Sequence, residues 1–407
     1  MAFIKPFRAL RPTADNAAAV SSVPYDVVTT EEAHALAAGN PLSFLHVTRS
    51  EIDLPPGTDP YSRRVYEKAR ENLQNLRHDA PLIVEDRATL YLYRLRMGAH
   101  EQTGVAGCFS IDEYEKDVIK KHERTRRDKE DDRTRHIVET RAQTGVVFLT
   151  YKASRAVDEV VRRVTATQPM YDFTAPDGVQ HTVWPAGQDH LRGLVNAFAH
   201  IPALYIADGH HRAASAARAR GELQKQADVQ QDEVNTFIAV AFPDNQMQIL
   251  PYNRTVADLA GQTTEQFLDA LRQQFPLTDG MPGPQRKGTV SMYLGGRWYS
   301  IDFTKTRAQD ESRANALDVA LLQHHVLERL LKVGDVRSDK RIDFVGGARG
   351  TTALEQAVDS GKAAVAFSMH PVTVDDLMAI SDSGGIMPPK STWFEPKLRD
   401  GLLIHVV

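Results

Sequence analysis

The sequence predicts an α+β fold, and three observations carry that expectation. Short strand-like runs and helical patterns are mixed along the chain without clean βαβ periodicity. The apolar runs are bounded by Gly, Pro and Asp turn signals rather than sustained as long helices. Composition is that of a globular protein: 407 residues, 42% hydrophobic and 25% charged. That length suits two or three structural units.

Taken in order, Ser21–Val28 reads as a loop into an extended stretch, because Pro24 biases Val23 away from helix. A helix should follow through Ala38, capped by Thr29 or Thr30. Residues 60–77 have a helical pattern. Residues 88–96 and 105–109 read as partner strands. Residues 111–141 hold ten basic and ten acidic side chains. Such a density suits one solvated helix laced with i,i+4 pairs, or a set of side chains converging on a polar substrate. Strands are expected at 146–151, within 169–183, at 201–208 and at 236–243, with helices at 154–167, 186–199 and from about Ala213 to Arg220. The Gln- and Asp-rich tract 222–232 reads as an exposed connection. Beyond it come a helix at 264–275, a loop at 279–288, strands at 289–294 and 297–303, and a leucine-rich helix at 316–332. The remainder reads as strands at 341–345 and 363–368, a helix at 373–380 and a closing strand at 402–407. Gly346–Gly350 reads as a turn.

Charge and cysteine content exclude several classes. Lys and Arg total 49 against 53 Asp and Glu, a net charge of −4, which disfavours a nucleic-acid coat. The single cysteine, Cys108, excludes an intrachain disulfide framework or cysteine-based zinc site and fits a reducing cytoplasm. The N-terminus lacks a signal-peptide core, and no run is long enough to span a membrane. A cytoplasmic location is therefore expected.

Three segments could carry chemistry. Asp208-Gly209-His210-His211-Arg212 places an acid at a strand end, a permissive glycine, and cations at a helix N-terminus, where backbone N–H groups favour an anion. Its bland reading is a helix cap with surface histidines, and a zinc site is the weaker alternative. His122-Glu123-Arg124-Thr125, followed by Lys129–Arg133, sets a carboxylate among cations; the one could accept a proton and the others neutralise phosphate. Lys390-Ser391-Thr392, in a proline-stiffened loop, combines an ammonium with hydroxyls, although no Walker A pattern is present. Tyr25, Asp26 and Arg254 are smaller polar spots assigned to substrate binding.

This ordered set resembles the family labelled domain of unknown function 1015. The resemblance runs from Lys5-Pro6-Phe7-Arg8 through Pro24–Val27, Asn40-Pro41, His122–Thr125, Lys129–Arg133 and Ala207–Arg212. It continues through Leu250–Arg254 to Pro389–Lys397. The family often carries histidine where this chain has Asn253. The central part is similar to the ParB-like fold of nucleotide-binding and free-serine-kinase proteins. The resemblance implies a ParB-like core over 111–260 between α/β regions at 1–110 and 261–407, with residues 151–190 as an insertion.

For function, it implies a Mg²⁺-dependent phosphotransferase acting on the hydroxyl of a serine-like amino acid, with ATP, ADP or pyrophosphate as donor. Glu123 would be the general base and Asp208 the catalytic residue that positions Mg²⁺. His122, Arg124, Thr125, His210, His211, Arg212, Lys390, Ser391 and Thr392 would bind phosphate or nucleotide. The partners implied are thus a small substrate and a nucleotide or pyrophosphate, with no membrane or nucleic acid and with homo-oligomerisation left open. Two rivals stand beside it: a ParB-like nucleotide-binding or DNA-associated module without turnover, and a phosphate-binding scaffold.

Overall fold

The computed structural model describes residues 2–79, 82–226, 230–306, 310 and 312–407. It has two compact units. The first comprises Met1–Met247 and Pro396–Val407, and the second Gln248–Glu395.

The first unit is built on a nine-stranded mixed sheet. Its strands are β1 (Ile4–Lys5), β2 (Tyr91–Met97), β3 (His100–Ser110), β4 (Ile119–Lys120), β5 (Val147–Tyr151), β6 (Tyr171–Thr174), β7 (Gln180–Pro185), β8 (Leu204–Asp208) and β9 (Thr236–Pro243). They run in the order β4-β8-β5-β9-β3-β2-β7-β6, with β1 beside the end of β3. Every residue of β5 and β9 is buried, which is why both read as unbroken apolar runs. Around the sheet lie α1 (Thr30–Ala37), α2 (Arg63–Asp79), α3 (Arg127–Thr140), α4 (Arg155–Thr165), α5 (Gly187–Phe198) and α6 (His210–Leu223). Phe109, Leu149, Phe198, Ile206 and Phe237 belong to the main apolar cluster.

The second unit holds a six-stranded sheet whose strands in chain order are β10 (Tyr252–Val256), β11 (Leu277–Asp279), β12 (Thr289–Leu294), β13 (Arg297–Asp302), β14 (Ile342–Gly346) and β15 (Val365–Ser368). Their spatial order is β11-β13-β12-β15-β10-β14. The mixed helices and sheets bear out the α+β expectation.

Several expectations need correction. The boundary drawn at 110 sits at the end of β3, whose neighbours β2 and β9 fall on opposite sides of it. The boundary at 260 follows β10, which pairs with β14 and β15. Hydrogen-bonded sheets therefore cross both lines. Residues 151–190 do not loop out as an insertion, since β6 and β7 extend the main sheet beside β2.

The charged tract 111–141 is not one helix. A short helix, Ile111–Glu115, ends before Asp117, whose φ of 55° is left-handed; Ile119 and Lys120 then pair with β8, and only α3 is continuous. The leucine-rich segment is an α-helix over Asp318–Leu322 that widens to π-type turns over Gln323–Glu328. The closing strand is only His405–Val406, paired with Ala142–Gln143. In the tract 222–232, residues 227–229 lie outside the described residues. No helix among the described residues is long and apolar enough to cross a membrane.

Candidate functional site

The site begins with a strand pairing. Strands β4 and β8 are parallel, Ile119 opposite Leu204 and Lys120 opposite Tyr205, so the chain leaves both at the same end of the sheet. One exit leads to His122 and Glu123, the other to Asp208 and His210. Across from β5 the register of β8 shifts between Ile206 and Asp208, an irregularity of the kind that re-aims a strand-end side chain.

Gly209 then turns the chain with φ of 90°, and α6 starts at His210, three residues earlier than the alanine pattern suggests. A Cβ on Gly209 would sit 3.4 Å from the Val147 backbone and from the Arg212 side chain. The left-handed dihedral favours glycine there, while a Cβ would meet its neighbours at ordinary contact distance.

Asp208 Oδ1 accepts a hydrogen bond from Gly209 N–H at 2.7 Å, and Lys397 Nζ donates to Oδ2 at 2.7 Å. Burial opposes the charge on this carboxyl, but Lys397 and Arg212 hold it well below the usual carboxylate range.

The paired histidines clamp the 122–126 loop. His210 Nε2 accepts a long 3.4 Å contact from His122 N–H, and His211 Nε2 accepts Arg126 N–H at 3.0 Å. The His122 and His210 rings meet edge to face at a centroid distance of 4.4 Å. Both are buried, 2% and 4% exposed. Burial pushes His122 down to about 4, against the pull of Asp208. His210 is also held well below its ordinary value, by burial and then by His122. Glu123 Oε2 lies 3.9 Å from His210 Nδ1 on a side chain 40% exposed. The arrangement offers a solvent-reachable carboxylate beside two neutral imidazoles, next to an ionised Asp–Lys pair and the positive end of a helix.

Arg212 lies elsewhere than expected for a phosphate ligand. Its guanidinium is 8% exposed and donates to the Val146 carbonyl and to Asp26 Oδ1, each at 2.7 Å. Tyr25 is buried under Arg133, whose guanidinium sits 4.2 Å from the ring centroid. Arg133 is in turn paired with Asp132 at 2.9 Å, and Tyr66 donates to Asp132 at 2.9 Å. Tyr25 is thus buried among these charges, while Asp26 pairs with Arg212 from the surface.

Thr125 donates to Glu130, and Arg218 pairs with both Glu130 and Asp131. Glu130 and Asp131 therefore help dock α3 on α6, whereas Lys129 donates to Tyr61 at 2.8 Å and Asp132 and Arg133 face Tyr66 and Tyr25. Arg124 is exposed. Arg254, Lys390, Ser391 and Thr392 belong to the second unit, where buried Arg254 donates to the carbonyls of Tyr252 and Lys390. There Asn253 is a buried acceptor for Met369 N–H at 3.0 Å.

Lys397 and Asp400 were not among the expected site residues. Lys397 closes the Pro389–Lys397 segment of the family resemblance, but nothing in its spacing tied it to Asp208, 189 positions away. Asp400 is 1% exposed, and burial raises its carboxyl to about 7 despite Arg212.

SbnI with a C-terminal truncation, from Staphylococcus aureus, is similar at 12% identity, covering 74% of this chain and 87% of its own, with a TM-score of 0.39. A free serine kinase in complex with AMP is similar at 11% identity over 74% and 91%, with a TM-score of 0.36. A conserved hypothetical protein from Pyrococcus furiosus is similar at 12% identity over 74% and 94%, with a TM-score of 0.35. No curated protein matches the chain. The family model described as protein of unknown function, DUF1015, matches residues 4–320, and the chain belongs to that family.

Proposed function

We propose that the protein is a Mg²⁺-dependent small-molecule kinase that transfers a phosphoryl group to the hydroxyl of a serine-like amino acid. The observation that supports it is the placement of Glu123. Its carboxylate is partly exposed at the end of the sheet, on a loop clamped by His210 and His211, beside the Asp208–Lys397 pair. Phosphoryl transfer asks mainly for positioning and charge neutralisation, with a base for the attacking hydroxyl.

In this reading Glu123 takes the proton from the acceptor hydroxyl as its oxygen attacks the terminal phosphorus of the donor; the bond from that phosphorus to its bridging oxygen breaks, and ADP, AMP or phosphate leaves from ATP, ADP or pyrophosphate. Lys397 and the N-terminus of α6 offset the phosphate charge. Asp208 supplies one carboxylate, which suits Mg²⁺, since that ion usually takes one or two protein carboxylates together with substrate phosphates. The fit requires Lys397 to share Asp208 with the ion. Bound there, Mg²⁺ would neutralise phosphate charge. The acceptor class follows from the sequence resemblance, and the name of the free serine kinase agrees with it. Glu123 as base and Asp208 as metal ligand come from that resemblance as well, and the partial exposure of Glu123 supports the first of them.

The test is an assay of the full chain with Mg²⁺, L-serine and each of ATP, ADP and pyrophosphate. Glu123→Gln should lower turnover by about 10²–10⁴-fold while leaving nucleotide affinity nearly intact. Full turnover in that variant, or no phosphorylated product from any donor with the unaltered chain, would overturn the proposal.

A further inference from the structure

His122 poses a problem that phosphoryl transfer does not explain. The ring is 2% exposed, and neither ring nitrogen makes a hydrogen bond of full geometry. The Ile206 backbone reaches the ring as a weak hydrogen-bond partner. That contact serves one nitrogen at most, and a second left unpaired on a buried side chain is costly, because its desolvation is then uncompensated. Such a group calls for a partner.

The nearest chemistry to His122 is a set of ligating atoms. One atom each from His122, Glu123 and His210 lies within 4.8 Å of the others. His210 can yield a nitrogen without breaking a strong bond: Nε2 takes only the 3.4 Å contact, and Nδ1 faces Glu123 at 3.9 Å. We infer that His122, His210 and Glu123 form a binding site for a divalent transition-metal ion of the zinc class. Bonds of about 2.0–2.2 Å would set tetrahedral ligand atoms about 3.4 Å apart. With the atoms already within 4.8 Å of one another, the cluster closes by at most about 1.4 Å to bind, through movement of the partly exposed Glu123 and small shifts of the two rings.

Two imidazoles and one carboxylate select Zn²⁺, Co²⁺ or Ni²⁺ over Mg²⁺, which prefers oxygen ligands and retains its waters. Three protein ligands leave a fourth position open. The site is distinct from the Mg²⁺ position assigned to Asp208, and it does not rest on the kinase reading. An ion here would lower the basicity of Glu123, so its binding should slow the proposed reaction without being part of it.

Co²⁺ titration of the full chain without nucleotide or acceptor, followed by visible absorption and Zn²⁺ displacement, tests the inference independently of turnover. One equivalent should bind saturably and be displaced by Zn²⁺. His122→Asn, His210→Asn and Glu123→Ala should each weaken binding by more than the roughly 10–100-fold that loss of a supporting group costs. His46→Ala, which removes the separate His46–Asp53 pair, should leave binding unchanged. Should the buried histidine variants fail to fold, Glu123→Ala decides the matter, because its side chain is partly exposed. Absence of stoichiometric binding, retention of full affinity in Glu123→Ala, or loss that follows His46 would each overturn the inference.

Discussion

Buried ionisable groups give this protein opposing responses to acid. His136 and His181 are buried, and desolvation pushes them down to about 4 and about 3. Arg133 adds to the effect at His136, and Arg399 at His181. Their folded-state values lie below those of the unfolded chain, so the unfolded chain binds more protons as pH falls below about 6.5. Stability from these rings is present at neutral pH and lost on acidification, about 2 kcal/mol each between pH 7 and pH 5.

Asp400 acts in the other direction. Its raised value near 7 means that stability present below about 4 is lost as pH rises toward 7. Denaturant melts from pH 5 to 7 should therefore show a shallower rise of stability with pH for His181→Phe than for the unaltered chain. Asp400→Asn should give a steeper rise. Parallel profiles for all three proteins would contradict the assignment.

Among the elements, the turn from β8 into α6 determines where the candidate site lies. Gly209→Ala would place a side chain at φ of 90° and 3.4 Å from Val147 Cα. It should destabilise the protein by about 1–2 kcal/mol, measured by urea denaturation. A loss of only a few tenths would show that the turn relaxes. The helix start at Thr29 was readable because its chemistry is local. Thr29 accepts from Glu32 N–H at 3.2 Å, and Glu32 accepts from Thr29 N–H at 2.9 Å. The start of α6 was misplaced because α6 opens on a left-handed glycine with no side-chain cap, so the signal used for α1 is absent. The 111–141 tract was misread for a related reason: charge density describes solvent exposure, whereas the pairing of Ile119 with Leu204 depends on a strand 85 positions away.

For the whole molecule, the second unit enters and leaves the chain at one place. Gln248 accepts Glu395 N–H at 3.2 Å, so the ends of the 248–395 segment are adjacent. Replacing that segment by a short flexible linker should leave the first unit with a cooperative thermal transition and native near-ultraviolet dichroism. A broad, non-cooperative melt would show that the nine-stranded sheet depends on the second unit.

The amino-acid sequence by itself determined the mixed α+β character, most strands, the family, and the residue types of the site. Each of these rests on periodicity, turn chemistry or ordered local motifs, which act over a few positions. Tertiary structure decided which of those residues meet. His122 and His210 stand 88 positions apart and touch because β4 and β8 run parallel and end together. Arg212 was withdrawn to Asp26 and Val146, and Lys397 was brought to Asp208. Pairing across a sheet and the burial that shifts a side chain's charge are set by neighbours distant in the chain, and no local pattern encodes them.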